Sequence, residues 1–393
     1  MRRVPPAASR PLAVADPAEV ADPPVVAHRP TAADPAAGAP PADAPPDLPQ
    51  HLARRVIAWQ RRHGRRDLPW QATRDPYRVW LSEVMLQQTQ VATVIAYYSR
   101  FVARFPDVQA LAAAPLDEVL GLWSGLGYYS RARNLHRCAQ AVVALHGGRF
   151  PPSARALEAL PGIGRSTAAA VAAFCFGERA AILDGNVKRV LARVLGFDED
   201  LSSPAAVQRL WRLAEALLPP RGIEVYTQGL MDLGATLCTS RRPDCATCPL
   251  AGDCRARATG RPEAWPRKTR RVRRGQRRHA LLWLRHGGLT WLVRRPSTGV
   301  WAGLWSLPEW DDEEALATWL QGRPGSGAWL PAIEHALTHF DWQLVPLRWT
   351  LPARLGARQR EALVAALPEG RWFAADELSG LGLPAPIRRL LLA

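Results

Sequence analysis

The chain has 393 residues, a length that predicts two or three domains and at least one sizeable core. Its formal net charge is +16 and its pI about 10.7, which points to a polyanionic partner, above all nucleic acid, although an arginine-rich proteome yields the same balance. No apolar run approaches the roughly 18 residues of a membrane span, and the N-terminus lacks the apolar core of a signal peptide. A soluble, intracellular protein with no membrane partner is therefore expected.

Residues 1–50 contain 13 Pro and 14 Ala and no aromatic residue. Such a composition buries too little apolar surface to offset the entropy of ordering, so it reads as a disordered tail, or as a segment upstream of the true start codon. From His51 the pattern is helical. After R-R-D-L-P-W-Q (Arg65–Gln71), the stretch Val79–Arg104 places Leu81, Val84, Val91, Ile95, Tyr98 and Val102 at three- and four-residue steps, predicting one long helix with one buried stripe. Gln88 falls on that stripe, where an amide needs a partner, either a core group or a DNA base. Glu83 lies at its border, where the plain reading is a solvated surface side chain. The glycines of G-L-W-S-G-L-G-Y-Y-S-R-A-R-N-L (Gly121–Leu135) suggest a turn that presents Tyr128 and Tyr129; on residues alone, both also read as core or rim.

In L-P-G-I-G-R-S-T-A-A-A (Leu160–Ala170), Pro161, Gly162 and Gly164 sit between two apolar-periodic segments and predict a hairpin joining two helices. The second helix would start near Arg165, its unpaired amides and positive dipole end forming a seat for a phosphate. A phosphate-free helix–turn–helix connection is the competing reading. Twenty residues past Gly164, Asp184 precedes Gly185, Asn186 and the helix-like run Val187–Leu195. A carboxylate there caps the helix and stays ionised, whether or not it has a further task.

Six cysteines are present, four of them within seventeen residues: Cys238, Cys245, Cys248 and Cys254, spaced C-x6-C-x2-C-x5-C. In a reducing compartment this clustering suggests metal rather than disulfides, and the single C-x2-C pair departs from the two pairs of a zinc ribbon. Cys138 and Cys175, in apolar helical contexts, read as inert buried thiols. Between Arg255 and Arg278, 11 Arg/Lys accompany one Glu, Pro262 and Pro266, which reads as a linker whose charges either track phosphates or are merely solvated. After His279 the period becomes that of strands: A-L-L-W-L-R, L-T-W-L-V-R-R and W-A-G-L-W-S-L-P, with a turn at Gly287-Gly288 and a later strand Gln343–Trp349. Helices are predicted over Glu313–Leu320 and Gln359–Leu367, giving an α+β sandwich.

The string W-L-S-E-V-M-L-Q-Q-T-Q-V (Trp80–Val91), the Gly121–Leu135 string, the hairpin with its later Asp, and the cysteine spacing together resemble the helix-hairpin-helix DNA glycosylases, and within them the adenine DNA glycosylase branch, MutY. The resemblance covers residues 51–393 and is closest up to about Arg255. It implies an all-α helix-hairpin-helix glycosylase domain over 51–257 with an iron–sulfur loop at 238–254. A basic linker at 258–278 would follow, then an α+β Nudix-like lesion-recognition domain at 279–393.

By the same resemblance Glu83 protonates adenine, Asp184 attends the sugar carbon that loses its base, and Asn186 orients Asp184 or a water. Arg66, Leu68, Trp70, Val91 and Gln228 line the adenine pocket. Gln88, Thr89 and Tyr128 hold the opposite strand at the lesion, and the hairpin residues Gly162, Gly164 and Ser166 grip DNA backbone. The four cysteines hold a [4Fe–4S] cluster, with zinc as the alternative. The C-terminal half resembles the Nudix-like domain of that family but lacks the G-x5-E-x7-R-E-x2-E-E-x-G box, so diphosphate hydrolysis is not expected. Leu337-Thr338-His339 stands where the family has Phe-Ser-His to read 8-oxoguanine, keeping a hydroxyl (Thr338) and an imidazole (His339) and losing the aromatic ring. Endonuclease III proteins carry a Schiff-base Lys where this chain has Ser166, so a monofunctional enzyme is expected. The implied substrate is double-stranded DNA with 8-oxoguanine:adenine or guanine:adenine mispairs, bound by a monomer. An endonuclease III-like pyrimidine glycosylase and a non-catalytic DNA-binding redox sensor are the rival readings.

Overall fold

A computed structural model describes residues 48–269 and 274–392. They fall into two compact units, one formed by residues 48–113 and 134–269, the other by 114–133 together with 274–392. Most of the proline- and alanine-rich stretch lies outside the described residues. Its last three residues do not behave as a tail, because Leu48–Gln50 form the first turn of the helix Leu48–His63, with Leu48 buried.

The first unit is helical. Its core gathers Leu52 and Val56 of the first helix, Ala169, Ala170 and Ala173 of Arg165–Phe176, Val187, Val190 and Leu191 of Gly185–Leu195, and Tyr226, Leu230 and Leu233 of Ile223–Thr236. Small residues set how closely these helices approach. A Cβ on Gly229 would stand 2.6 Å from Cγ1 of Val56, so the first and the Ile223–Thr236 helices meet backbone to side chain at that point.

The stripe predicted to run unbroken from Val79 to Arg104 is two helices, Pro76–Leu86 and Val91–Arg104. Asp75 caps the first, accepting from the Tyr77 N–H at 3.0 Å, and Pro76 begins it. Between the two helices Gln88 has a φ of 56°, a left-handed conformation that no helix continues. Gln88 is therefore an exposed turn residue and not a member of the stripe, and Ile95 is likewise 37% exposed. The basic stretch is also more anchored than a free tether. Arg255–Ala258 is helical, the Trp265 indole donates to Asp198 at 3.0 Å, and the Leu201 N–H donates to the Arg267 carbonyl at 3.0 Å.

The second unit is built on a mixed sheet of eight strands among the described residues: β1 (Gly275–His286), β2 (Leu289–Arg294), β3 (Trp305–Ser306), β4 (Glu309–Trp310), β5 (Ser326–Trp329), β6 (Ile333–Ala336), β7 (Phe340–Thr350) and β8 (Gly370–Phe373). The order is β3-β2-β1-β7-β5, with β4 on β1, β6 on β7 and β8 on β2. β1 and β7 pair in parallel from Gly275↔Phe340 to Arg285↔Thr350, whereas the other pairings are antiparallel. Leu316, Trp319 and Leu320 of the helix Glu313–Leu320, and Leu363 of the helix Ala357–Val364, cover Ala280, Leu282, Leu284, Trp291 and Leu347 of the sheet. The β1 strand starts four residues before His279, and W-A-G-L-W-S-L-P contributes only Trp305–Ser306 as strand because Trp301 has a φ of 59°.

Residues 114–133 belong to this unit. The Ser124 hydroxyl donates to the Leu383 carbonyl at 2.8 Å, and the Tyr129 hydroxyl donates to the same oxygen at 2.9 Å. Tyr129 is thus a buried anchor, the core alternative of its two readings, and the turn presents Tyr128 alone, 46% exposed with a φ of 47°. No helix among the described residues is long and apolar enough to cross a membrane.

Candidate active site

The hairpin forms as expected between the helices Ala154–Glu158 and Arg165–Phe176. Ile163 is buried and pins the loop, while Pro161, Gly162 and Gly164 are exposed. Gly162 has a φ of 73°, and a Cβ there would stand 2.5 Å from the Asn134 Cβ, so only glycine fits. Arg165 opens the second helix with its guanidinium 4.0 Å from the Trp211 ring centroid and paired with Glu215. Ser166 looks inward: its hydroxyl oxygen accepts from the Leu183 N–H at 2.9 Å, tying the start of this helix to the residue before Asp184.

Asp184 is the N-cap of the helix Gly185–Leu195, accepting from the Val187 N–H at 2.7 Å. The Asn186 amide donates to its other oxygen at 3.3 Å. Arg189, one turn on, donates to Asn186 Oδ1 at 2.8 Å and to the Cys238 carbonyl at 2.7 Å, so a continuous chain of hydrogen bonds runs from Asp184 to the first cysteine of the loop. Burial raises the Asp184 carboxyl above its ordinary pKa, opposed by the Val187 and Asn186 N–H groups, Arg189 and the Asn186 side chain.

Glu83 stands on the helix Pro76–Leu86, near enough to Asp184 for the two carboxyls to interact electrostatically. It is half-buried, and desolvation first, then the Asp184 carboxylate, push its pKa up to about 7. Burial thus raises both carboxyls, Glu83 further through the neighbouring charge of Asp184, while N–H donors and Arg189 offset part of the rise at Asp184, against the plainly ionised cap expected from the sequence. The solvated surface reading of Glu83 does not hold.

The other predicted residues separate into groups. Leu68 and Trp70 are buried, Trp70 edge-on to Tyr98 at 5.3 Å, whereas Arg66 is exposed and Val91 half-buried. Gln228 donates through its amide to Asp232 at 3.0 Å. Thr89 follows Gln88 in the interhelical turn, its hydroxyl donating to the Gln87 carbonyl at 3.3 Å. Tyr128, Thr338 and His339 belong to the other unit, where the Tyr128 hydroxyl lies 3.4 Å from Thr338 Oγ1. Arg131 supports the Tyr128 turn by donating to the Leu126 and Gly127 carbonyls, both at 3.3 Å. Thr338 and His339 occupy the exposed tip between β6 and β7.

Cys238, Cys245, Cys248 and Cys254 line one pocket, walled by Val190, Val194, Leu233, Leu237 and Leu250. Arg193, fully buried, donates to Cys238 Sγ at 3.3 Å and to the Thr239 and Ser240 carbonyls. Among the described residues no three His, Cys, Asp or Glu side chains stand close enough to hold a single metal ion. Cys138 is fully buried as expected, whereas Cys175 is only half-buried, and burial pushes both thiols up to about 12.

In the sheet unit, Gly303 and Glu309 keep the G-x5-E opening of a Nudix box, but Ala317-Thr318 and Gln321-Gly322 replace its later charges. Glu309 is buried against Arg295, which donates at 2.7 Å, and His279.

Two arrangements, a glycine-bearing helical hairpin followed by a capping Asp beside a desolvated Glu, define the helix-hairpin-helix class of base-excision glycosylases. Residues 81–216 match the model of the HhH-GPD superfamily of base excision DNA repair proteins, and residues 279–393 match that of the NUDIX domain. An adenine DNA glycosylase of Buchnera aphidicola is 33% identical over 86% of this chain and 95% of its own length. The adenine DNA glycosylase of Homo sapiens is 39% identical over 66% of this chain and 58% of its own length. Among solved structures, a thermostable thymine-DNA glycosylase superposes with a TM-score of 0.50 at 30% identity, covering 54% of this chain and 98% of that one. The chain belongs to the adenine DNA glycosylase family, enzymes of base excision repair that hydrolyse N-glycosyl bonds, and its partner is DNA.

Proposed function

We propose that this enzyme removes adenine mispaired with 8-oxoguanine or guanine and leaves the strand intact. The observation that carries the reading is Glu83, held protonated near neutrality beside the helix-capping carboxylate Asp184. The adenine leaves the duplex first, at a cost of a few kcal/mol that a mispair lowers. Glu83 then donates its proton to the departing purine, turning a poor leaving group into a neutral base. Asp184 faces the sugar as positive charge develops, either as a fixed anion or by bonding to the sugar carbon, after which Glu83 activates water. Asn186 holds one Asp184 oxygen so that the other stays on the Val187 N–H.

In this reading Arg66, Leu68, Trp70, Val91 and Gln228 line the adenine pocket, and Gln88, Thr89 and Tyr128 hold the opposite strand. Thr338 and His339 meet the oxidised base, with the Tyr128–Thr338 contact joining the two roles in one unit. The exposed hairpin at Gly162 and Gly164 holds phosphate, and Ser166 stands where a lyase would need an amine. The domains proposed are helical over 51–257, apart from residues 114–133 of the sheet unit, a basic linker over 258–278 and a Nudix-like reader over 279–393, in a cytoplasmic monomer working on the chromosome.

The four loop cysteines would hold a [4Fe–4S] cluster, which when bound cross-links the loop at four points and supplies a one-electron centre. Iron and acid-labile sulfide assays on the purified protein should each give about four per chain; one zinc and no sulfide would contradict this. For the substrate, base release is compared on duplexes with adenine opposite 8-oxoguanine, guanine or thymine. Release is expected opposite the first two, leaving an abasic site broken only by added alkali. Equal release opposite thymine, or an imine trapped by borohydride in the yield of a lyase, would overturn the reading.

A further inference from the structure

Asp232 was not among the residues singled out from the sequence, yet it is the most heavily hydrogen-bonded carboxylate near the proposed pocket. It lies in the middle of the helix Ile223–Thr236 and is fully buried. One oxygen, Oδ2, accepts from Gln60 Nε2 and from the Arg65 backbone N–H, each at 3.0 Å. The other, Oδ1, accepts from Arg65 Nε at 2.8 Å, Arg65 Nη2 at 2.5 Å and Gln228 Nε2 at 3.0 Å. A carboxylate taken out of water needs this degree of compensation, and here the compensation comes from two parts of the chain more than 160 residues apart. Arg65 immediately precedes the segment bearing Arg66, Leu68 and Trp70; Gln228 sits one turn before Asp232 on its own helix.

The chemistry of the acceptor also decides the orientation of Gln228. Both Asp232 oxygens already accept from Arg65 or Gln60, and the Gln228 amide presents its nitrogen to Oδ1. Its carbonyl oxygen, which has no partner among the described residues, is turned away from Asp232 as a fixed acceptor. Adenine differs from unsubstituted purine by one exocyclic amine, a donor that such an oxygen recognises.

We propose that Asp232 is a positioning residue for base selection: it locks the two arms of the adenine pocket together and fixes the Gln228 carbonyl oxygen as the acceptor for the 6-amino group. This rests on the adenine-pocket reading above.

The test measures single-turnover base release from duplexes carrying adenine or unsubstituted purine opposite 8-oxoguanine, for the wild type, Asp232→Asn and Gln228→Met, with thermal melting of each variant. Asparagine matches Asp232 in shape but breaks the obligatory donor–acceptor order, so the amide is free to flip. The adenine-to-purine rate ratio should fall about tenfold in both variants, because a site built to bond an amine loses that preference with its acceptor. A cooperatively folded Asp232→Asn protein that slows both bases equally and keeps the wild-type ratio would reduce Asp232 to a structural role and overturn the proposal. If Asp232→Asn does not fold, a wild-type ratio in Gln228→Met overturns it instead. A wild type that releases neither base refutes the adenine reading itself.

Discussion

Glu83 shows how one side chain's environment is turned into chemistry. Its pKa is pushed up to about 7 from 4.5, so it stabilises the fold least where it is ionised. Below about pH 4.5 the folded and unfolded chains are both protonated; as pH rises to about 7 the unfolded chain ionises first, and the stability is lost across that window. Glu83→Gln removes the penalty. Urea unfolding should find that variant more stable than the wild type above pH 7, by at most about 3 kcal/mol, with the gap closing toward pH 4. A gap that is the same at pH 4 and pH 8 would mean that Glu83 has no raised pKa. The acid was legible only through its string of neighbours, since period alone placed it at the edge of a stripe. Burial raises its pKa first, and the charge of Asp184, a hundred residues away in the chain, adds to the shift. Asp232 left a fainter local trace, a charge between Met231 and Leu233 in an apolar register, and its partners Gln60 and Arg65 had no sequence signal linking them to it.

The hairpin was readable because its glycines are compelled by geometry. Gly162 combines a φ of 73° with a Cβ direction that runs into Asn134, while the space around Gly164 is open. Gly162→Ala should therefore destabilise the protein by about 1–3 kcal/mol in denaturant unfolding, and Gly164→Ala, which only weakens a cap, by about 1 kcal/mol or less. The reverse order would contradict this account of the loop. Elements without such compulsion were misread. Nothing in Q-Q-T-Q announces the break between Pro76–Leu86 and Val91–Arg104, because the left-handed residue is a glutamine rather than a glycine. The β1–β7 pairing, more than sixty residues apart in the chain, carries no local signature either.

At the scale of the molecule, a basic chain of +16 has two units with separate cores, and the proposed catalytic pair stands in the helical one. Composition indicated the polyanionic partner and period indicated the change from helices to sheet. Neither showed that residues 114–133, with Tyr128, share a unit with the Thr338 loop, because that depends on contacts such as Tyr129 to Leu383 that only the folded chain makes. The central claim is that Glu83 and Asp184 act on one extruded adenosine. It is tested most directly by measuring, side by side, duplex binding and single-turnover adenine release opposite 8-oxoguanine for the wild type, Glu83→Gln and Asp184→Asn. Asparagine still caps the helix, so both variants should fold and bind the duplex within a few-fold of the wild type, and neither should release adenine above background. A folded variant of either kind that released adenine at a rate near that of the wild type would contradict the account.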